Sequence, residues 1–196
     1  MEFNKGLIYK IIDNKIDKLE LVHLNKQKLN ILYYALNLNH SLKELRLYSN
    51  QIEDITLLCK SLKNNYCLQK LFLSSNKIKD ITSLKFLSNS CLKYLYLSFN
   101  KIEDISPLKF LSNSCLEKLH LSYNKIKDIT SLKFLSNSCL KVLGLSGNQI
   151  KDISPLKFLK NNSYLQELDL QFNQISNQDI QKIKELAKLK QIKLYI

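Results

Sequence analysis

Apolar residues return along this chain in a fixed cadence. The pattern L-x-x-L-x-L-x-x-N-x-I recurs about every 24 residues. Clear copies begin at Leu42, Leu68, Leu92, Leu116, Leu140 and Leu165. A shorter copy begins at Leu189, and a degenerate one near Ile16 has Leu24 where the others have Asn. Eighteen residues, Asn76 to Lys93, recur without change from Asn124 to Lys141. The chain is therefore read as about eight coils. One coil cannot bury its own apolar edge, so coils stack and their leucines form one continuous core.

Each column of the repeat predicts an element. Leu45, Leu71, Leu95, Leu119, Leu143 and Leu168 alternate with Leu47, Leu73, Leu97, Leu121, Leu145 and Leu170. Period two places both sets on the inward face of short parallel strands. Asn50, Asn76, Asn100, Asn124, Asn148 and Asn173 form a ladder at the bend after each strand, where a buried amide can satisfy orphaned backbone groups. The return segment reads D-I-[S/T]-x-L-x-x-L. Thr56, Thr82, Ser106, Thr130 and Ser154 are expected to cap a short helical turn, with Pro107 and Pro155 at its first position. The Asp column before it (Asp54, Asp80, Asp104, Asp128, Asp152) suits the positive end of that turn, and one acid per coil does not make a metal site. Phe86, Phe110, Phe134 and Phe158 are assigned to packing between return segments.

This is the motif of a leucine-rich repeat. Residues 100–108 (NKIEDISPL) and 148–156 (NQIKDISPL) resemble the return segment of internalin-type repeats and of the related phosphatase-1-regulator class. The resemblance covers residues 42–175 and implies an α/β leucine-rich repeat solenoid. Its parallel β-sheet would curve on the concave side, with short 3-10 or α-helical segments on the convex side. It also implies a general protein-binding role. The repeat departs from the class by two extra residues, Ser-Cys, before the next Leu (Ser90-Cys91, Ser114-Cys115, Ser138-Cys139).

The two ends differ from the middle. Ser176 to Asp179 reads as a capping box, followed by Ile180, Ile183 and Leu186 at helical spacing, then a final strand near 190–195. Leu29, Leu32 and Leu36 predict a helix in the first coil. Gly6 to Ile12 is expected to be a strand that covers the open end of the stack. The chain is thus one domain over 1–196: a cap and degenerate first repeat over 1–41, regular repeats over 42–175, and a capping helix and last strand over 176–196.

Composition narrows the partner classes. No apolar run approaches the ~20 residues that a membrane span needs. The N-terminus MEFNKG has no long apolar stretch of the signal-peptide kind, so a cytosolic protein is expected. Five cysteines show no C-x-x-C pair. Cys67, Cys91, Cys115 and Cys139 recur once per coil, and stacking brings such positions about 5 Å apart without redox purpose. They are expected to be small buried side chains. Net charge is +13, yet Arg46 is the only arginine. Arg is the side chain suited to bidentate phosphate or guanine recognition, so nucleic acid is disfavoured. Abundant Lys, Asn and Ile together point to an A/T-rich genome such as that of a giant DNA virus. The convex columns Lys85, Lys109, Lys133, Lys157 and Lys77, Lys101, Lys125 make a basic outer surface. It is either a solubilising face or an alternative, salt-sensitive contact for nucleic acid or an anionic membrane.

Candidate function falls on the outward strand positions. One column is Glu44, Lys70, Tyr94, Lys118, Val142, Glu167 and Gln191. The next is Arg46, Phe72, Tyr96, His120, Gly144, Asp169 and Lys193. Phe99, Tyr123 and Phe172 follow beyond the strands, where packing beside the Asn ladder is the structural alternative for them. Exposed aromatics that the core does not need resemble an interface hot spot. Gly144 and Gly147 should leave a shallow pit beside them. The two identical blocks diverge directly after Lys93 and Lys141. Tyr94, Tyr96 and Phe99 become Val142, Gly144 and Gly147, while the inward leucines stay. Diversification of a binding face and relaxed constraint on a bare one both produce that. The proposed partner-binding residues are Arg46, Phe72, Tyr94, Tyr96, Phe99, Lys118, His120, Tyr123, Gly144 and Asp169, for a protein partner and a monomeric chain. No cofactor, metal, small-molecule or catalytic site is read from the sequence. His23, His40 and His120 are isolated, and no glycine-rich phosphate loop occurs.

Overall fold

The computed structural model describes residues 3–88, 90–112, 114–136, 138–160 and 162–196, with residues 158–160 by their backbone alone. Eight three-residue strands form one parallel sheet in sequential order. They are β1 (Lys18–Glu20), β2 (Glu44–Arg46), β3 (Lys70–Phe72), β4 (Tyr94–Tyr96), β5 (Lys118–His120), β6 (Val142–Gly144), β7 (Glu167–Asp169) and β8 (Lys193–Tyr195). The sheet is curved and does not close on itself. Leu45, Leu71, Leu95, Leu119, Leu143 and Leu168 lie in register from strand to strand. These and the following leucines, Leu47 to Leu170, are at most 1% exposed. Burial of each such side chain is worth about 1.5–3 kcal/mol, and the stack shares that gain across coil boundaries.

The asparagine ladder joins neighbouring coils. Asn100 Nδ2 donates to the Leu73 carbonyl of the coil before (3.0 Å) and to Leu97 of its own (3.0 Å). Its Oδ1 accepts from Ile78 N–H (3.0 Å). Asn76, Asn124, Asn148 and Asn173 repeat this. A second set of buried asparagines lies before the strands and was not anticipated. Asn39 Oδ1 accepts from Leu42 N–H (2.9 Å), Asn65 Oδ1 from Cys67 N–H (3.0 Å), and Asn162 Oδ1 from Leu165 N–H (2.8 Å).

Return segments are short. α3 (Thr56–Ser61) is α-helical, while Thr82–Leu87, Ser106–Leu111, Thr130–Leu135 and Ser154–Lys160 are 3-10 turns. The hydroxyl column does not cap them as expected. The carboxylates do: Asp80 Oδ1 accepts from Thr82 N–H and Asp104 Oδ1 from Ser106 N–H, each at 2.7 Å. The hydroxyls of Thr82, Ser106 and Ser154 instead donate to the same acids, at 2.8–3.0 Å. An Asx turn reaches the second N–H along with one atom more than a serine side chain offers. Phe86 and Phe110 are half-buried. Phe134 is 38% exposed, which contradicts its assignment to packing. Lys85, Lys109 and Lys133 lie 5.2–5.4 Å over the ring that follows each. The Phe158 side chain lies outside the described residues.

Three further expectations fail for local reasons. Gly6 to Ile12 is not a strand but part of α1 (Lys5–Ile12). Asn4 caps it by accepting from Leu7 N–H, and Leu7 and Ile11, four apart, bury against α2 (Lys26–Asn37). Cys67, Cys91, Cys115 and Cys139 are exposed; among the cysteines Cys59 alone is buried. The serine before the cysteine turns in instead. Ser90, Ser114 and Ser138 Oγ donate to the Leu87, Leu111 and Leu135 carbonyls at 2.6–2.7 Å. Leu92, Leu116 and Leu140 also face inward, so the residue between must face out. Last, α4 (Asn177–Lys190) runs longer than its pattern and ends in left-handed Gln191. β8 therefore enters two residues late. Lys193 and Tyr195, not Gln191 and Lys193, align with Glu167 and Asp169.

Candidate functional site

Strand register places Arg46, Phe72, Tyr96, His120, Gly144 and Asp169 side by side on the outward face of the sheet. Three of the rings stack. Phe72 and Tyr96 centroids are 4.4 Å apart and 8° from parallel; Tyr96 and His120 are 4.7 Å and 5°. Free aromatic pairs prefer offset or edge-to-face arrangements. Here strand spacing of about 4.7–4.9 Å imposes the flat stack. Arg46 closes one end, with its guanidinium carbon 4.7 Å from the Phe72 centroid. Tyr94, one column over, lies between Lys70 and Lys118, whose ammonium groups are 5.4 and 5.5 Å from its ring.

Gly144 closes the other end. A Cβ there would lie 2.9 Å from His120 Nδ1 and 3.1 Å from Ser122 Oγ. At Gly147 it would lie 2.6 Å from the Tyr123 ring. The two glycines are therefore seats for the rings of the preceding coil. The expected pit is filled by His120 and Tyr123. Tyr123 also stacks on Phe99, with centroids 4.5 Å apart. The divergence of the two identical blocks thus has a packing side: the second block receives the rings that the coil before it presents.

Charges concentrate at the N-terminal end of the face. Buried Glu44 pairs with Arg46 (2.6 Å), Lys18 (3.2 Å) and Lys70 (3.4 Å). Burial pushes its carboxyl up, but Arg46 and Lys18 outweigh it and hold the group below the usual carboxylate range. Arg46 also reaches Glu20, which accepts a hydrogen bond from Tyr48 Oη. Arg46 is thus held from three sides, by two acids and a ring. Burial, then Lys118, pushes the His120 imidazole below its ordinary value, which favours the neutral form of the stacked ring. Asp169 lies beyond Gly144 and outside the stack, where its Oδ1 accepts from Gln171 N–H (3.1 Å). Lys118 is half-buried beside Tyr94.

The residue before each ladder asparagine has positive φ in every regular coil: Ser49, Ser75, Phe99, Tyr123, Gly147 and Phe172. Glycine suits that left-handed backbone, and a bulky side chain costs about 1–2 kcal/mol there. Three coils nevertheless carry an aromatic. Phe99, Tyr123 and Phe172 are 55%, 43% and 74% exposed, so they do not pack beside the ladder. Phe172 was not among the expected contact residues; its place in the column before Asn173 is the signal for it. Phe172→Asn is expected to raise stability by about 0.5–1 kcal/mol in a urea melt, because Asn tolerates the left-handed region. A clear loss would mean that the ring supports the scaffold.

Among the described residues, no cluster of three or more His, Cys, Asp or Glu could hold a metal ion. No helix there is long and apolar enough to cross a membrane.

Comparison with known proteins follows the same repeat. A leucine rich repeat model matches residues 67–126, and a two-copy leucine rich repeat model matches 40–89, 116–158 and 140–187. No curated protein sequence matches the chain. Among solved structures, internalin C2 of Listeria monocytogenes is 31% identical, with a TM-score of 0.63 over 96% of this chain and 82% of its own. An internalin of the same organism, inlF, is 28% identical, with a TM-score of 0.58 over 96% of this chain and 62% of its own. A leucine-rich repeat protein of Leptospira interrogans shares the fold at 21% identity, with a TM-score of 0.65 over 98% of this chain and 57% of its own. With the repeat models spanning most of the chain and an internalin matching nearly all of it, the chain belongs to the leucine-rich repeat family and is of the internalin type.

Proposed function

We propose that this protein is a non-enzymatic binding module that holds a protein partner on its concave sheet face. Leucine-rich repeat proteins are generally protein–protein interaction modules, and solenoid curvature gives them an extended concave surface. Contact centres on Phe72, Tyr94, Tyr96 and His120 and continues to Phe99 and Tyr123. Arg46 rims it on the N-terminal side, Lys118 lies beside Tyr94 on β5, and Gly144 and Asp169 lie toward the C-terminal side.

One observation carries this reading. Large aromatics occupy exposed positions of left-handed backbone, a conformation that Gly and Asn adopt more easily. Strain held at an exposed residue points to use of the side chain itself. The stacked rings beside them are also pre-ordered, so they lose little rotamer freedom when a partner binds.

The test is affinity capture from the cytosol of the source cells, with wild-type protein compared to Tyr94→Ala/Tyr96→Ala. Both side chains lie outside the leucine core, so the fold should persist. A true hot-spot residue costs about 2 kcal/mol or more on truncation, roughly 30-fold in affinity. Specific partners should therefore vanish from the double variant. Identical partner lists from both proteins would overturn the reading.

A further inference from the structure

Just past each ladder asparagine, a backbone bond ties the regular coil to the one before it. Lys77 N–H donates to the Ile52 carbonyl, Lys101 to Ile78, Lys125 to Ile102, Gln149 to Ile126 and Gln174 to Ile150, all at 2.8–2.9 Å. Gln51 holds the equivalent place in the second coil. Its N–H meets no acceptor among the described residues. The cause lies in the first coil. By register the missing acceptor is Lys26, which opens α2. Where later coils run on extended, this one turns into a twelve-residue helix and leaves the rung empty.

A cavity of about 560 Å³ occupies the gap. That is within the range of sites that take small ligands or short segments. Leu24, Leu29, Ile52 and Leu57 give it apolar walls. Tyr33 lines it, is 8% exposed, and its hydroxyl makes no hydrogen bond among the described residues. Glu53 and Asp54 stand on the second-coil side and Lys26 on the first-coil side, so the acids outnumber the one cation of the lining. Neither forms an ion pair among the described residues, although the Thr56 side chain and backbone N–H hold the Asp54 carboxyl below its usual range. Gln51 is exposed, so its N–H is open to an occupant of the cleft that supplies a backbone acceptor.

We propose that this cleft binds a short extended peptide segment of a partner protein, with an apolar side chain and a Lys or Arg close to it. The peptide backbone restores the missing rung: one carbonyl accepts from Gln51 N–H and another from Tyr33 O–H. The apolar side chain lies on Leu29 and Ile52. The basic side chain reaches Glu53 and Asp54. This is strand addition at a break in a backbone ladder, where main-chain bonds give affinity and side-chain pockets give selectivity. It uses no residue of the concave face and stands or falls independently of it.

The test uses the full chain, labelled with nitrogen-15, and the peptide acetyl-Ala-Leu-Ala-Lys-Ala-amide. Expected is a progressive shift of the Gln51 amide signal with a Kd on the order of 1 mM or tighter. Replacing the peptide Lys by Glu should weaken binding at least about tenfold, and so should Glu53→Lys, at an exposed position. Tyr33→Phe keeps the packed ring and should weaken binding several-fold. Tyr94→Ala/Tyr96→Ala should bind the peptide as wild type does. An unmoved Gln51 signal at about 10 mM peptide would overturn the proposal. So would equal binding of the Lys and Glu peptides, or the same shifts from lysine amide alone, which would mark a site for small cations.

Discussion

Leu97→Ala should cost about 2–5 kcal/mol, read as a lowered urea midpoint. Leu97 is fully buried and lies mid-stack, between Leu73 and Leu121 of the adjacent coils. The cavity it leaves has a leucine wall on both sides, and each wall is fixed by its own strand. Such a site cannot collapse, so the transfer loss and the cavity loss add. Lys109→Ser is the control. Lys109 is exposed on the convex side, where its ammonium lies 5.2 Å over the Phe110 ring. Losing one exposed cation–π contact should change stability by less than about 0.5–1 kcal/mol. Equal damage from the two substitutions would mean that inward and outward columns had been exchanged.

Asn100→Leu should be at least as damaging, although it replaces a polar side chain with an apolar one of similar size. The amide of Asn100 serves three carbonyls, at Leu73, Leu97 and Ser98, and accepts from Ile78 N–H. Leucine replaces none of these. Each buried group left without a partner costs about 1–3 kcal/mol. Position along the stack supplies the comparison. Asn173 makes the same set of bonds but is half-buried near the end, where water can reach the freed groups. Asn173→Leu should therefore be the milder of the two. A urea midpoint for Asn100→Leu within error of wild type would remove the ladder from the account of stability.

The concave face shows how far pattern reading carries. Period two and the 24-residue step of the middle coils put Phe72, Tyr96 and His120 in one column from the sequence alone. That they stack within 5–8° of parallel could not be read there, because ring orientation depends on what the neighbouring coil offers. Gly144 is the clearest case. In the sequence it is a missing side chain, and hence an expected hollow. In the structure it is the surface against which His120 lies, and the Cβ of any other residue would meet the ring.

The misread elements share a cause. Helix and strand periodicities both fit a segment as short as Gly6 to Ile12, and only the docking of Leu7 and Ile11 on α2 decides between them. Small apolar side chains usually bury, yet Cys91, Cys115 and Cys139 face solvent because the serine before and the leucine after each face inward. The repeat count alone places Gln191 and Lys193 in the outward columns, and the left-handed end of α4 shifts that count by two.

The sequence by itself determined the stacked coils, the inward leucine columns, the asparagine ladder and the membership of the outward columns as far as β7. Each of these repeats at fixed spacing, so every coil constrains the reading of the others. Tertiary structure alone decided features that occur once or depend on the adjacent coil. Among them are the ring stack and its glycine seats, the exposed left-handed aromatics, the turn of the cysteines to solvent, and the cleft where α2 leaves Gln51 without a rung. Their physics is that of contact between coils, and a one-dimensional pattern carries the period of such contacts but not their geometry.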